Sequence, residues 1–186
     1  MTKVDAVANF FIVATKLNED EDSITNLRLN KLLYFAQAWY VALKDRPLFS
    51  EPIEAWTFGP VVRSIYNKYS DLVKSPIANA DVDFNLSELS EEELDVLFAV
   101  MAEYGQYSTS KLVDMSHEKG GAWEKVYVEN MKNVIPIETI QQDFVGKSLR
   151  TFEDSTSAAS AEDYHNAAGT LVLPADWKDK LDIVYG

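Results

Sequence analysis

Few residues of this chain belong to the types that carry out catalysis or bind metals. Its 186 residues include two histidines, His117 and His165, and no cysteine. The lack of cysteine excludes disulfides, iron–sulfur clusters, thiolate metal sites and cysteine nucleophiles. His117 stands three positions after Asp114 and directly before Glu118. It is therefore either part of a metal site that takes further ligands from elsewhere, or a structural or interface histidine.

The other candidates for catalysis have structural explanations. The seven glycines do not form a phosphate-binding loop after a clear strand. Glu91, Glu92 and Glu93 are an acidic cluster, but they fall in the first turn of a predicted helix, where the helix dipole favours negative charge. We therefore expect a protein that is not an enzyme and that holds no cofactor and no metal.

The net charge of the chain is concentrated in its second part. Residues 1–79 include nine acidic and nine basic residues, whereas residues 80–186 include 21 acidic and eight basic ones, which gives a net charge of −13. Phosphate contacts require clustered Lys and Arg, so direct nucleic-acid binding is not expected. Two interpretations remain: the acidic surface faces a basic protein partner, or it only keeps the domain soluble.

The hydropathy of the chain predicts a soluble, folded protein. Hydrophobic residues make up 47% of the sequence, which is enough for a core in a domain of this length. No apolar run is long enough to span a membrane, and no basic-then-apolar signal sequence stands at the start. We therefore expect a cytoplasmic protein with no membrane contact.

The spacing of apolar residues predicts a mainly α fold, a single compact helical domain. One amphipathic helix is predicted over residues 3–17 and a second over residues 26–44. The wide apolar stripe of the second helix makes it the central one, with Thr25 or Asn26 as its N-terminal cap. Further helices are predicted over 61–73, over 90–104 with a Ser90–Glu93 capping box, over 109–117, and from about 123 and about 136.

A short extended, β-like insertion around residues 47–60 interrupts the helices. This segment contains three prolines, which forbid a continuous helix. We predict a short strand over 53–58 with Trp56 and Phe58 on one face, followed by a turn at Gly59-Pro60. The aromatic residues either bind a protein partner or pack on the second helix.

The helical periodicity ends near residue 150. We therefore predict one domain over residues 1–150 and a C-terminal linker and extension over residues 151–186. The apolar residues from Leu171 onward either pack back on the domain or bind a partner.

Three motifs in this order resemble the Panacea domain family, which includes the SocA-like antitoxins and phage-associated proteins. The first motif is the run ITNLRLNKLLYFAQAWY over residues 24–40. The second combines Pro47-Leu48-Phe49 with EAWTFGPVV over residues 54–62, and the third is Ser116-His117-Glu118 with Trp123 soon after. The resemblance covers about residues 3–150. The sequence departs from it at residues 120–122, where a proline commonly stands just before the tryptophan.

The resemblance implies the antitoxin of a type II toxin–antitoxin system, which neutralises a cognate toxin by direct protein–protein binding. Toxins of this kind often block translation, and some are alarmone-synthetase-like enzymes. The alternative is a proteolytic adaptor for a host protease, or a phage-encoded modulator of a host protein, which uses the same binding domain. A homodimer and a heterotetramer with the toxin both remain open.

The aromatic insertion and the start of the following helix are where we expect the partner to bind. In this hypothesis the apolar side chains anchor the toxin, and the acidic second half of the chain faces a basic toxin surface. The expected partner-binding residues are Leu48, Phe49, Trp56, Phe58, Gly59, Pro60, Val61 and Tyr66.

Overall fold

The fold, obtained as a computed structural model, is described for residues 1–17, 24–72, 76, 77, 82 and 85–149. Within these ranges it has seven α-helices and one small two-stranded antiparallel sheet, which confirms the mainly α fold. The predicted extension over 151–186, including His165 and the apolar residues from Leu171, lies outside the described residues. In the described part, no helix is both long enough and apolar enough to cross a membrane.

The elements follow the chain in this order: α1 (Lys3–Leu17), α2 (Asn26–Lys44), β1 (Ile53–Trp56), β2 (Gly59–Val62), α3 (Arg63–Lys68), α4 (Glu91–Tyr104), α5 (Thr109–Ser116), α6 (Ala122–Val126) and α7 (Ile137–Phe144). Two short 3₁₀ segments, Ser70–Leu72 and Leu86–Glu88, lie between α3 and α4.

Helix α2 is the centre of the fold, as predicted. Fifteen of its nineteen residues are buried, because α1, α4, α5, α7 and β2 all pack against it. Its first turn is capped by Thr25, whose hydroxyl accepts a hydrogen bond from the backbone N–H of Arg28 at 3.2 Å. It ends at Lys44, and the C-cap residue Asp45 adopts the left-handed conformation at φ 54°.

Polar side chains of α2 fix the start of the insertion. The carboxamide oxygen of Gln37 accepts hydrogen bonds from the backbone N–H groups of Leu48 and Phe49, at 2.8 and 3.2 Å. Its amide nitrogen donates to the carbonyl of Phe49 at 2.9 Å. Buried backbone groups require hydrogen-bond partners, and Gln37 supplies them for Leu48 and Phe49. The first residues of the insertion can therefore lie in the interior of the protein.

Further along α2, two more polar side chains hold the end of the insertion. The Asn30 side chain accepts a hydrogen bond from the backbone N–H of Val62 at 2.9 Å. The Lys31 ammonium donates to the carbonyl of Pro60 at 2.6 Å. Strand β2 is therefore attached to α2 by side-chain bonds to its backbone, in addition to apolar packing.

The insertion is a β-hairpin rather than a strand followed by a turn. Strand β1 pairs with β2 in an antiparallel register that sets Trp56 opposite Gly59, so Thr57 and Phe58 form a two-residue turn. On the other edge of β1, the backbone N–H of Ala55 donates to the carbonyl of Asn133 at 2.7 Å. The hairpin is thus held on both sides.

Several predicted boundaries in this region are wrong, since β1 ends at Trp56 instead of residue 58 and α3 ends at Lys68 instead of residue 73. The turn falls at Thr57 and Phe58, two residues before the predicted Gly59-Pro60, and the next helix begins at Arg63 instead of residue 61. Gly-Pro is a common turn signal, but here Gly59 follows the turn and supplies a φ of +95° inside the strand. The valines at 61 and 62 pair with β1, which delays the helix.

Helix α4 confirms the predicted capping box. The Ser90 hydroxyl accepts from the backbone N–H of Glu93 at 3.3 Å, and the Glu93 carboxylate accepts from the backbone N–H of Ser90 at 2.8 Å. At the other end, the Arg28 guanidinium donates to the carbonyls of Gly105 and Tyr107. Helix α2 therefore also holds the chain where it leaves α4.

Gly59 lies close to side chains of both α2 and α5. A Cβ atom at this position would lie 2.5 Å from the Ser116 hydroxyl oxygen and 2.9 Å from the Lys31 ammonium nitrogen. Such distances are well inside van der Waals contact, and the φ of +95° disfavours any side chain. The residue must be glycine for the hairpin to keep this position.

We expect Gly59→Ala to lower the free energy of unfolding by about 2 kcal/mol or more, because strain at positive φ adds to steric overlap. Gly120→Ala is the matched control, since Gly120 also has a positive φ, +78°, but no atom lies within 4 Å of its added Cβ. The control is expected to cost about 1 kcal/mol. Urea unfolding measures both values, and equal losses would show that the close approach at Gly59 contributes nothing.

Candidate partner-binding site

A cavity of about 510 Å³ lies beside the hairpin. Its walls come from the first turns of α2, from the hairpin, from α3 and from the loop after α6. The size falls in the range of ordinary ligand and anchor pockets. The large apolar side chains that line it are Leu27, Trp56, Phe58, Val61, Tyr66 and Tyr127.

Of the eight predicted partner-binding residues, four line this cavity: Trp56, Phe58, Val61 and Tyr66. Phe58 is the most accessible, with 66% of its surface exposed at the tip of the hairpin, while Trp56 and Tyr66 are half-buried. Val61 is 4% exposed, so it offers the cavity only a small surface.

The other four predicted residues lie in the interior. Leu48 and Phe49 are core residues, 4% and 2% exposed, and the backbone around them is bonded to Gln37. Gly59 and Pro60 are buried in β2. A partner docked on the cavity would meet Trp56 and Phe58 first, while these four residues keep the hairpin in place. The partner-binding role of all eight stays a prediction.

Trp56 is fixed by a network of polar contacts. Its indole N–H donates to the Glu54 carboxylate at 2.8 Å, and Arg63 donates two further bonds to this carboxylate at 2.8 and 2.7 Å. Burial alone would raise the pKa of Glu54, but the hydrogen bonds from Arg63 and Trp56 lower it below its ordinary value. The tryptophan ring also packs against Tyr66, with 4.7 Å between the ring centroids.

Two cations flank the ring of Trp56. The Lys132 ammonium nitrogen lies 4.1 Å from the ring centroid, and the Arg63 guanidinium carbon lies 5.8 Å from it. Both distances are within the range of cation–π attraction. The cavity therefore combines an aromatic wall with positive charge.

The loop after α6 is the part of the site that the sequence analysis missed. It exposes Val128 and Met131, which are 53% and 62% accessible. Asn130 and Lys132, which line the cavity, have positive φ angles of 65° and 51°. Strained backbone of this kind is concentrated at binding sites. The sequence feature that could have indicated this loop is the presence of two apolar residues, Val128 and Met131, in a short stretch without helical periodicity.

The third motif supports this wall from behind. The ring of His117 stacks on Trp123 with 3.8 Å between centroids, and Trp123 stacks on Tyr127 at 4.3 Å. The Trp123 indole N–H donates to the carbonyl of Trp56 at 2.9 Å. A column of three rings therefore connects α5 to the cavity and ties α6 to the hairpin.

The ring of His117 is half-buried, and charged groups lie around it. Burial lowers its pKa, the positive charge of Lys31 lowers it further, and Asp114 opposes both. The neighbouring Glu118 forms an ion pair with Lys147 at 2.8 Å. Within the described ranges, no three His, Asp or Glu side chains are grouped as metal ligands.

Lys31 is the most unusual ionisable group near the hairpin. Its side chain is fully buried, and its ammonium donates to the carbonyl of Pro60. Burial disfavours the charged form, which lowers the pKa of Lys31 to about 7. The bond that holds β2 on α2 is therefore formed by a lysine that titrates near neutral pH.

Two comparisons relate the chain to known proteins. The family model described as "Antitoxin SocA-like, Panacea domain" matches residues 29–124, a range that runs from α2 through Trp123. The protein named "Antitoxin SocA" from Caulobacter vibrioides (strain NA1000 / CB15N) is 32% identical over 132 residues, which cover 66% of this chain and 70% of that protein. No solved structure matches the chain.

We expect the stability of the protein to rise between pH 7 and pH 9 because of Lys31. In the unfolded chain its pKa returns to 10.5, so in this window the unfolded state binds more protons than the folded state, and the difference approaches one proton above about pH 8. The free energy of unfolding then increases by at most about 1.4 kcal/mol per pH unit. Lys31→Met should remove this slope, measured by urea unfolding at pH 7, 8 and 9.

Lys111→Met is the matched control for this experiment, because Lys111 is an exposed lysine on α5. It should keep the slope of the wild type. The window ends at pH 9 because burial raises the pKa of Tyr34 and Tyr104, which reverses the slope at higher pH. An unchanged slope in Lys31→Met would contradict the assignment to Lys31.

Proposed function

The chain belongs to the family of SocA-like antitoxins with a Panacea domain, and from this premise we propose that it neutralises a cognate toxin by binding it directly. The system is of type II, with a protein antitoxin that acts in the cytoplasm on a protein toxin. The binding domain spans residues 1–150, and residues 151–186, which lie outside the described residues, form an extension.

The observation that carries this proposal is the cavity at the meeting point of the three motifs. The first motif supplies Asn30 and Lys31, which hold the hairpin, and the second motif is the hairpin itself. The third motif contacts it through Ser116 and Trp123. The motifs thus support one aromatic surface, and buried aromatic anchors of this type dominate the affinity of protein interfaces.

In the proposed complex the toxin covers the hairpin tip and the cavity. Trp56, Phe58 and Tyr66 supply the contacts, Val61 lines the floor, and the buried residues Leu48, Phe49, Gly59 and Pro60 hold the backbone that presents them. Around this centre, exposed acidic side chains in the second half of the chain face a basic toxin surface. A basic surface of this kind would suit a translation-blocking enzyme that binds tRNA or nucleotides, such as an alarmone-synthetase-like toxin.

The experiment that tests the proposal is co-expression with the product of the adjacent reading frame. We expect the neighbour alone to stop growth and this chain to restore it. With purified components, a direct inhibitor blocks the toxin without any protease, whereas an adaptor shortens the lifetime of the toxin only when the protease is present. A harmless neighbour, or a toxic one that is not rescued, would contradict the proposed pairing.

We expect Trp56→Ala to weaken toxin binding by about 2 kcal/mol or more, and Phe58→Ala by more than about 1 kcal/mol. Phe58 is exposed and contributes little to stability, so its variant separates binding from folding. Calorimetry with the purified toxin measures both losses.

Leu43→Ala serves as the control for these variants. Leu43 is 54% exposed, but it lies in the last turn of α2, whereas the cavity lies at the first turns. Its loss should change the affinity by less than about 0.5 kcal/mol. If folded Trp56 and Phe58 variants bind as tightly as this control, the toxin docks elsewhere.

A further inference from the structure

We propose that the cavity binds a large apolar side chain of the partner whose sequence neighbour is Asp or Glu, and that Lys132 binds this carboxylate. The inference rests on the proposed function, because it specifies the chemistry of the toxin segment at the same site. Although the partner as a whole is expected to be basic, the segment that enters the cavity is acidic.

The local charge balance carries the first step of this argument. Glu54 is 7% exposed and already accepts two hydrogen bonds from Arg63 and one from the Trp56 indole. Arg63 therefore forms the direct ion pair with Glu54, and Lys132 attracts the same carboxylate without a hydrogen bond. Among the residues that the structure describes, Lys132 has no carboxylate within ion-pair distance, so its ammonium beside the Trp56 ring can bind a carboxylate of the partner.

The backbone that carries Lys132 is held in place within the protein itself. Its backbone is in the left-handed conformation, and the next residue, Asn133, is bonded on two sides. The Asn133 carbonyl accepts from the backbone N–H of Ala55 at 2.7 Å, and its side chain donates to the carbonyl of Val126 at 3.0 Å. A carboxylate that meets Lys132 therefore meets a cation on a preorganised loop, which lowers the entropy cost of binding.

The apolar half of the recognition comes from the cavity next to this cation. Trp56 and Tyr66 form one aromatic wall, and Tyr127 lines the cavity from the loop after α6. Phe58 and Met131 are exposed nearby and can cover an inserted side chain. A partner segment with an aromatic or aliphatic residue next to Asp or Glu matches both the apolar cavity and the positive charge of Lys132. A segment with Lys or Arg beside the apolar residue would place two cations in contact.

Short peptides test the proposed chemistry without the toxin. The probes are acetyl-Ser-Asp-Phe-Asp-Ser-amide and its analogues with Asn or Lys in place of both Asp residues. The signal followed in an NMR titration of the full-length protein is the indole N–H of Trp56. We expect the Asp peptide to bind about tenfold more tightly than the Lys peptide, with a difference that shrinks as salt is added.

Variants of Lys132 assign this preference to one residue. Lys132→Met should remove the difference between the Asp and Asn peptides, and Lys132→Arg should keep it. Lys111→Met, an exposed lysine on α5 outside the cavity, should behave as the wild type. Equal binding of the Asp and Lys peptides, or shifts confined to signals outside the cavity, would overturn the inference.

The toxin complex gives a second, independent test. We expect Lys132→Met to weaken the complex about tenfold, Lys132→Glu about a hundredfold, and Lys132→Arg less than about threefold. If Trp56→Ala abolishes neutralisation and Lys132→Glu does not, the proposed function stands and this inference is wrong. If the wild type does not neutralise the neighbour, the proposed function fails, and the peptide titration still decides the chemistry of the cavity.

Discussion

The candidate site depends on one requirement, that the buried backbone of the segment between α2 and α3 finds hydrogen-bond partners. A two-stranded hairpin is not stable in isolation, and this one enters the interior with backbone groups that no neighbouring strand can pair. Helix α2 meets the requirement through Gln37 at the start of the segment and Asn30 and Lys31 at its end. The aromatic surface is therefore positioned by polar side chains in the core of a helical protein.

This arrangement costs stability and gains a defined geometry. A buried lysine without a carboxylate partner is unfavourable, and an apolar residue in place of Lys31 would pack at lower cost. Such an apolar residue would leave the Pro60 carbonyl without its hydrogen-bond donor. It would also remove the side-chain bond from α2 to the hairpin, next to the position where Gly59 lies close to Ser116. The three motifs are thus parts of one structural unit.

The sequence predicted the helices well and the hairpin only in part. Helices α1, α2 and α4 have long periodic apolar faces, and Ser90 is followed by the residues of a capping box, so local patterns determine their limits. The turn position and the burial of Leu48 and Phe49 depend on contacts with α2 that are distant in sequence. The loop with Met131 and Lys132 was not predicted, because it is held at the cavity by hydrogen bonds to β1, which is distant in sequence.

The net charge of the whole protein and the local charge at the cavity can favour partners of opposite charge. At physiological salt, exposed charges are screened beyond about 8 Å, so the net charge of −13 affects approach and orientation more than the final contact. At the cavity, Arg63 forms the ion pair with Glu54, and the ammonium of Lys132 lies 4.1 Å from the centroid of the Trp56 ring. An acidic protein can therefore attract a basic partner at long range and still select an acidic segment at the point of contact.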